Sequence, residues 1–203
     1  MNTEIKKEKC AFCGELVPGY STIYVKVDER YQCSCLKCYN SRMAEYSNID
    51  VEHIDLEPII LKDHENIDHK FYFTVRHLGD RVGIESFEIK DGQRGGYEFS
   101  HIGDPEEEIF NLFAKLVEQM LTGLHQKHIE WHDDINDWQI TEKDVVRGKI
   151  SCDLEETEDY GRHPPLVVID GKEIKWEAFG RMLMTYEGFN FKLEIFDSSD
   201  EMP

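Results

Sequence analysis

The sequence predicts an α+β protein in which a small cysteine-rich module precedes an antiparallel-sheet domain with two helices. Three observations carry that prediction. Five of the six cysteines fall within residues 10–38 and include two C-x2-C pairs, a spacing that wraps a short segment around one point. Most of the remaining chain reads as alternating apolar runs broken by turn signals, without the strand–helix alternation of a parallel sheet. Two later stretches instead carry apolar residues at helical spacing.

The first element is Cys10-Ala-Phe-Cys13-Gly14, answered by Cys35-Leu-Lys-Cys38. Within each pair a tight turn or a first helical turn brings both sulfurs to about 2.3 Å from one metal ion, and Gly14 suits the positive φ of a knuckle. Between the pairs, Ile23, Val25 and Val27 alternate with Tyr24 and Lys26 as a strand from Ser21 to Val27. Asp28-Glu29-Arg30 supplies a turn, and Tyr31 to Cys33 returns as the second strand. Leu36, Tyr39, Met43 and Tyr46 then form a helical stripe with Cys35 and Cys38 in its first turn. The expectation is a structural Zn2+ held by Cys10, Cys13, Cys35 and Cys38. Cys33, two residues before Cys35, is the alternative ligand in its place. Knuckle, hairpin and helix resemble the treble-clef group of zinc fingers over residues 8–48, which implies a fold and a metal. Disulfides need an oxidising compartment, and Met1 to Lys9 has no apolar stretch to direct export, so a cytoplasmic protein is expected.

The predicted organisation is a zinc-binding module over 1–50, an acidic α+β domain over 55–197 and a disordered tail over 198–203. Ser47 to Glu57 reads as the connector between the first two. Ile59 to Leu61 is a short apolar run. Phe71, Phe73 and Val75 alternate, Gly79-Asp80 turns the chain, and Val82 and Ile84 share a face. Phe87 and Ile89 fall on the opposite parity, which predicts a bulge near Glu85 and Ser86. Tyr97, Phe99 and His101 complete an antiparallel meander. Asp104 as cap, Pro105 and Glu106 to Glu108 predict a helix start, with Ile109, Phe113, Leu116, Val117, Met120 and Leu124 as its buried stripe. That helix is expected to reach His125 or a turn beyond. Residues 129–144 carry no legible period. Val146 to Leu154 alternates as a strand, with Cys152 as a small core residue, and 155–165 is a loop. Leu166 to Ile169 is a strand, Asp170-Gly171 a tight turn, and Trp176, Phe179, Leu183 and Met184 mark a helix ended by Gly188. Phe189, Phe191, Leu193 and Ile195 alternate as a final strand.

The segment from Ile169-Asp170-Gly171 through Trp176 to Leu193 resembles the closing motif of an uncharacterised bacterial protein family that also carries an N-terminal cysteine knuckle. The resemblance implies a bacterial cytosolic protein with a treble-clef-like zinc finger and a C-terminal α+β domain, and it lends no catalytic residue. Read from the residues, its aromatics are core.

The chain has a formal charge of −19, and residues 1–50 contribute none of it. A strongly acidic body repels phosphate backbones at long range, so nucleic acid is disfavoured as a partner. No run of apolar residues is long enough for a membrane helix. Outside the cysteines, His125, His128 and His132 would share a helix face if the helix continued through His132, and could then hold a second metal ion. His64 and His69, beside Glu65 and Asp68, read as a polar turn. The leading functional expectation is a non-catalytic zinc protein that contacts another protein, one with a basic surface. The alternatives are a metal-dependent enzyme using the three histidines, and an acidic mimic of nucleic acid that binds a basic protein.

Overall fold

The computed structural model describes residues 5–48, 53–153, 156 and 162–197. The expected connector and the acidic loop lie partly outside the described residues, and the tail over 198–203 lies wholly outside them. Among the described residues, three α-helices and mostly antiparallel sheets make the α+β architecture that the alternation predicts.

Two hairpins and a helix form the N-terminal module. Strands β1 (Lys7–Lys9) and β2 (Leu16–Pro18) pair antiparallel, as do β3 (Thr22–Val27) and β4 (Arg30–Cys35). Helix α1 (Leu36–Ser47) follows β4 without a break and stops at Asn48, whose φ of 54° is the left-handed cap conformation. The buried face of α1 is Leu36, Asn40 and Ala44, whereas Tyr46 is 87% exposed. This corrects the stripe expected from Leu36, Tyr39, Met43 and Tyr46. The helix turns Asn40 inward because its carboxamide bridges the edge of a strand. Its Nδ2 donates to the Val75 carbonyl at 2.8 Å, and its Oδ1 accepts from the His77 amide at 3.0 Å.

That strand belongs to a four-stranded antiparallel sheet of β5 (Ile59–Lys62), β6 (Asp68–His77), β7 (Val82–Lys90) and β8 (Gln93–Gly103), in that order. Strand β5 pairs only with Asp68 to Phe71, so among the described residues the far half of β6 has no strand on that side and Asn40 takes the place of one. Helix α2 (Ile109–Leu124) covers one face of the sheet. Leu112, Leu116, Met120 and Leu124 recur every fourth residue and are fully buried against Phe71, Phe73, Val75 and Ile84. Each contributes roughly 1.5–3 kcal/mol relative to exposure, so Leu116→Ala is expected to cost about 2–5 kcal/mol. The opposite face is covered too. Phe87, opposite Tyr72 in the ladder, packs against Tyr20 of the N-terminal module and beneath the Arg94 guanidinium. Coverage on both faces explains the parity change in β7. The register shift lies at Phe87 and Glu88, two residues beyond the expected bulge.

Helix α2 starts later than its sequence punctuation suggests. Asp104 closes its own turn, with its carboxylate accepting from the Glu106 amide at 2.9 Å, and the helix begins only after Glu108. It ends at Leu124 with His125 as its cap.

Beyond α2 a second core forms from Ile129, Val167, Ile169, Ile174 and Met182. The segment without a legible period is a hairpin, β9 (Ile129–His132) with β10 (Asp137–Ile140), which sets Trp131 opposite Trp138 with ring centroids 5.3 Å apart. Strands β11 (Lys149–Cys152), β12 (Pro165–Ile169) and β13 (Lys172–Lys175) make a three-stranded sheet against α3 (Trp176–Met184). Cys152 is exposed on edge strand β11 and is not a core residue. Asp170 and Gly171 both take positive φ in the β12–β13 turn, and a Cβ at Gly171 would lie 2.6 Å from the Tyr97 ring. The Asp170 carboxylate accepts from the amides of His128 and Ile129 at 2.7 and 2.9 Å, which ties β9 to this turn.

Helix α3 ends at Met184, before Gly188. The expected final strand is not one: residues 189–196 pair with no strand among the described residues, and Phe189, Phe191, Leu193 and Ile195 are exposed. Trp176 is half exposed as well, so the aromatics of this motif are only partly core.

Candidate metal centre

The sulfurs of Cys10, Cys13, Cys35 and Cys38 all lie within 4.8 Å of one another. Backbone geometry brings them there. The β1–β2 hairpin closes around the first pair through Cys10 N–H to Glu15 at 2.9 Å and Gly14 N–H to the Cys10 carbonyl at 3.0 Å. Ala11 N–H donates to the Cys33 carbonyl at 2.8 Å and pins this knuckle to β4. Cys35 ends β4 and caps α1, its sulfur accepting from the Cys38 amide, so the second pair straddles the strand-to-helix junction.

The separations suit a tetrahedral metal ion. Bonds of about 2.3 Å to sulfur imply sulfur–sulfur distances of roughly 3.8 Å, and Cys13 and Cys35 are 3.7 Å apart. The donor set is all thiol, which suits thiophilic ions. Burial pushes the Cys10 thiol up, but amide donors from Cys13, Cys35 and Phe12 outweigh it and hold it at about 6. Burial raises Cys38, and sharing of its proton with Cys35, Cys13 and Cys10 adds to the shift. Cys35 is raised by burial. Four thiolates cannot crowd together without a cation, and a divalent ion would supply the missing charge.

Cys33 stands apart from this group. Its sulfur lies 3.5 Å from the Glu8 carboxylate, which also accepts from the Tyr24 hydroxyl at 2.8 Å. The Tyr24 hydrogen bond is the main reason the Glu8 carboxyl is held below its usual range. Burial and the facing Glu8 push the Cys33 thiol up.

His125, His128 and His132 occupy three different settings. Nδ1 of His125 is 2.6 Å from the Leu121 carbonyl at the end of α2. His128 is buried, with Nδ1 3.0 Å from the Val145 carbonyl. His132 lies at the end of β9 beside Glu130. The helix stops before His128, so the shared face never forms. Among the described residues, only the four cysteines gather their ligand atoms in one place.

One buried polar arrangement escaped the sequence reading. His69 sits in β6, not in the turn, with Nδ1 2.9 Å from Glu88 and Nε2 3.2 Å from Asp63. Both nitrogens donate at once only in the imidazolium form. Burial raises the Asp63 carboxyl, but the amides of Ile67 and Glu65 together with His69 outweigh it and hold it below its usual range. Glu88 reaches on to the Tyr97 amide at 2.9 Å. Nothing in the local sequence signals this, because Glu88 arrives from the neighbouring strand.

Residues 128–200 match a family model described as "Domain of unknown function (DUF7713)", and residues 52–125 match a second, "Domain of unknown function (DUF7686)". The two matches divide the chain where the structure passes from the α2-covered sheet to the second core. The cysteine module lies outside both. No curated protein and no solved structure matches the chain.

Proposed function

We propose that this is a bacterial, cytosolic, non-catalytic zinc protein whose treble-clef-like module anchors an acidic body that docks a protein partner with a basic surface. The observation that carries the proposal is the convergence of four cysteine sulfurs from a knuckle and a helix start. Four thiolates complete the tetrahedron of Zn2+ and leave no coordination position for a substrate, which is the pattern of structural sites. The residues that would hold the ion are Cys10, Cys13, Cys35 and Cys38, and the ion would contribute folding energy to the module.

The position of the module supports an anchoring role. Its helix completes the edge of β6 through Asn40, and Tyr20 packs on the ring of Phe87 at 5.6 Å. Order in the module is thereby passed to the acidic sheet. The charge of −19, none of it from residues 1–50, supports a basic partner through long-range attraction. No helix among the described residues is long and apolar enough to cross a membrane.

Metal analysis of the purified protein tests the first half of the proposal, with one zinc per chain expected. Affinity capture from the native host tests the second, with a basic protein expected that is released as salt rises. Turnover that depends on a residue of the body would overturn the non-catalytic reading.

A further inference from the structure

The segment Phe189 to Phe196 follows α3 with the pattern of a strand and pairs with none among the described residues. Phe189, Phe191, Leu193 and Ile195 alternate with Asn190, Lys192 and Glu194. The four apolar side chains are between 72% and 90% exposed. Lys192 and Glu194 form an ion pair two residues apart, as side chains on one side of an extended backbone do. Upstream, Leu183 and Met184 of α3 are exposed as well. Large apolar side chains exposed together in this way mark an interaction site.

We propose that this segment pairs antiparallel with the same segment of a second copy of the chain, about a two-fold axis through Leu193. Charge selects both the occupant and the register. With the axis at Leu193, residues whose numbers sum to 386 face each other, so Lys192 lies opposite Glu194 of the other copy and Glu194 opposite its Lys192. Phe191 then faces Ile195, and Leu193 faces Leu193. Moving the axis by one residue sets Lys192 against Lys192 or Glu194 against Glu194, and moving it by two loses both ion pairs. An interface of this type must be self-complementary, and this sequence is so in one register. A two-stranded ribbon is marginal alone, so the exposed apolar side chains of the segment have to supply most of the buried surface.

Dimerisation also brings together two chains that each carry −19, so salt strengthens it by screening their repulsion. Docking of a basic partner has the opposite salt dependence. The two proposals can therefore fail separately.

The test is sedimentation equilibrium on the pure full-length protein at low and high salt, at about 10–100 µM because small interfaces are weak. The expected mass tends to twice the 23.9 kDa of the chain, more so at high salt. Leu193→Asp should give a monomer. Lys192→Glu and Glu194→Lys should each weaken the dimer about 10-fold, and the double exchange should restore it. These side chains are exposed, so unchanged metal content and circular dichroism would show that each variant is folded. A mass of 23.9 kDa throughout, a dimer untouched by Leu193→Asp, or a double exchange no better than the singles overturns the proposal.

Discussion

Replacing Asn40 by Ala probes how the cysteine module is attached to the sheet. Asn40 is only 3% exposed, and its carboxamide satisfies one carbonyl and one amide of β6 at 2.8 and 3.0 Å. Truncation leaves both groups buried and unpaired. At about 1–3 kcal/mol for each unmade bond, less whatever an entering water recovers, the expected loss is about 2–4 kcal/mol. Asn40→Asp should be at least as damaging, because it keeps the acceptor for His77 but sets a carboxylate against the Val75 carbonyl. Denaturant unfolding followed by circular dichroism gives the stability, and hydrogen exchange at the His77 amide reports the bond itself. Chelation of the metal should deprotect the same amide, since α1 begins at a proposed ligand. A stability change under about 0.5 kcal/mol, with His77 still protected in Asn40→Ala, would refute the reasoning.

Cys38→Ser should release the metal and unfold the module, whereas Cys33→Ser should keep the metal, as read by metal analysis; the reverse result would reassign the ligands. Replacing His125, His128 and His132 together by Ala should leave metal content unchanged, while the loss of the buried His128 contact should cost about 1–2 kcal/mol of stability. Asp63→Asn should flatten the acid limb of the stability curve. The folded carboxyl is held below its usual value, so its contribution is present above the unfolded value of about 3.9 and is lost as pH falls through the folded one. A difference between variant and native protein that persists unchanged to the lowest pH would contradict that assignment.

Sequence alone determined the features set by local chemistry. The C-x2-C spacing specifies where sulfurs can converge, because each pair is closed by a turn of a few residues. The β3–β4 hairpin was legible because alternation and turn residues act over short range, and so were strand β12 and its turn, where Asp170-Gly171 adopts the positive φ its sequence suggests; the short return strand β13 was not. The apolar stripe of α2 was legible for the same reason, apart from Leu112.

Tertiary structure decided whatever depends on a distant partner. Asn40 faces inward because β5 is too short to cover β6, and no helical period of α1 encodes the length of another strand. Phe87 changes parity because Tyr20 covers the second face of the sheet. His69 is fixed by Asp63 and by Glu88 from the neighbouring strand, whereas the three later histidines fall apart because α2 stops at Leu124. The run from Phe189 to Ile195 has the alternation of a strand, yet a strand exists only where another offers its edge. Period can prepare a segment for pairing, but the hydrogen-bond partner has to come from elsewhere in the fold or from a second molecule.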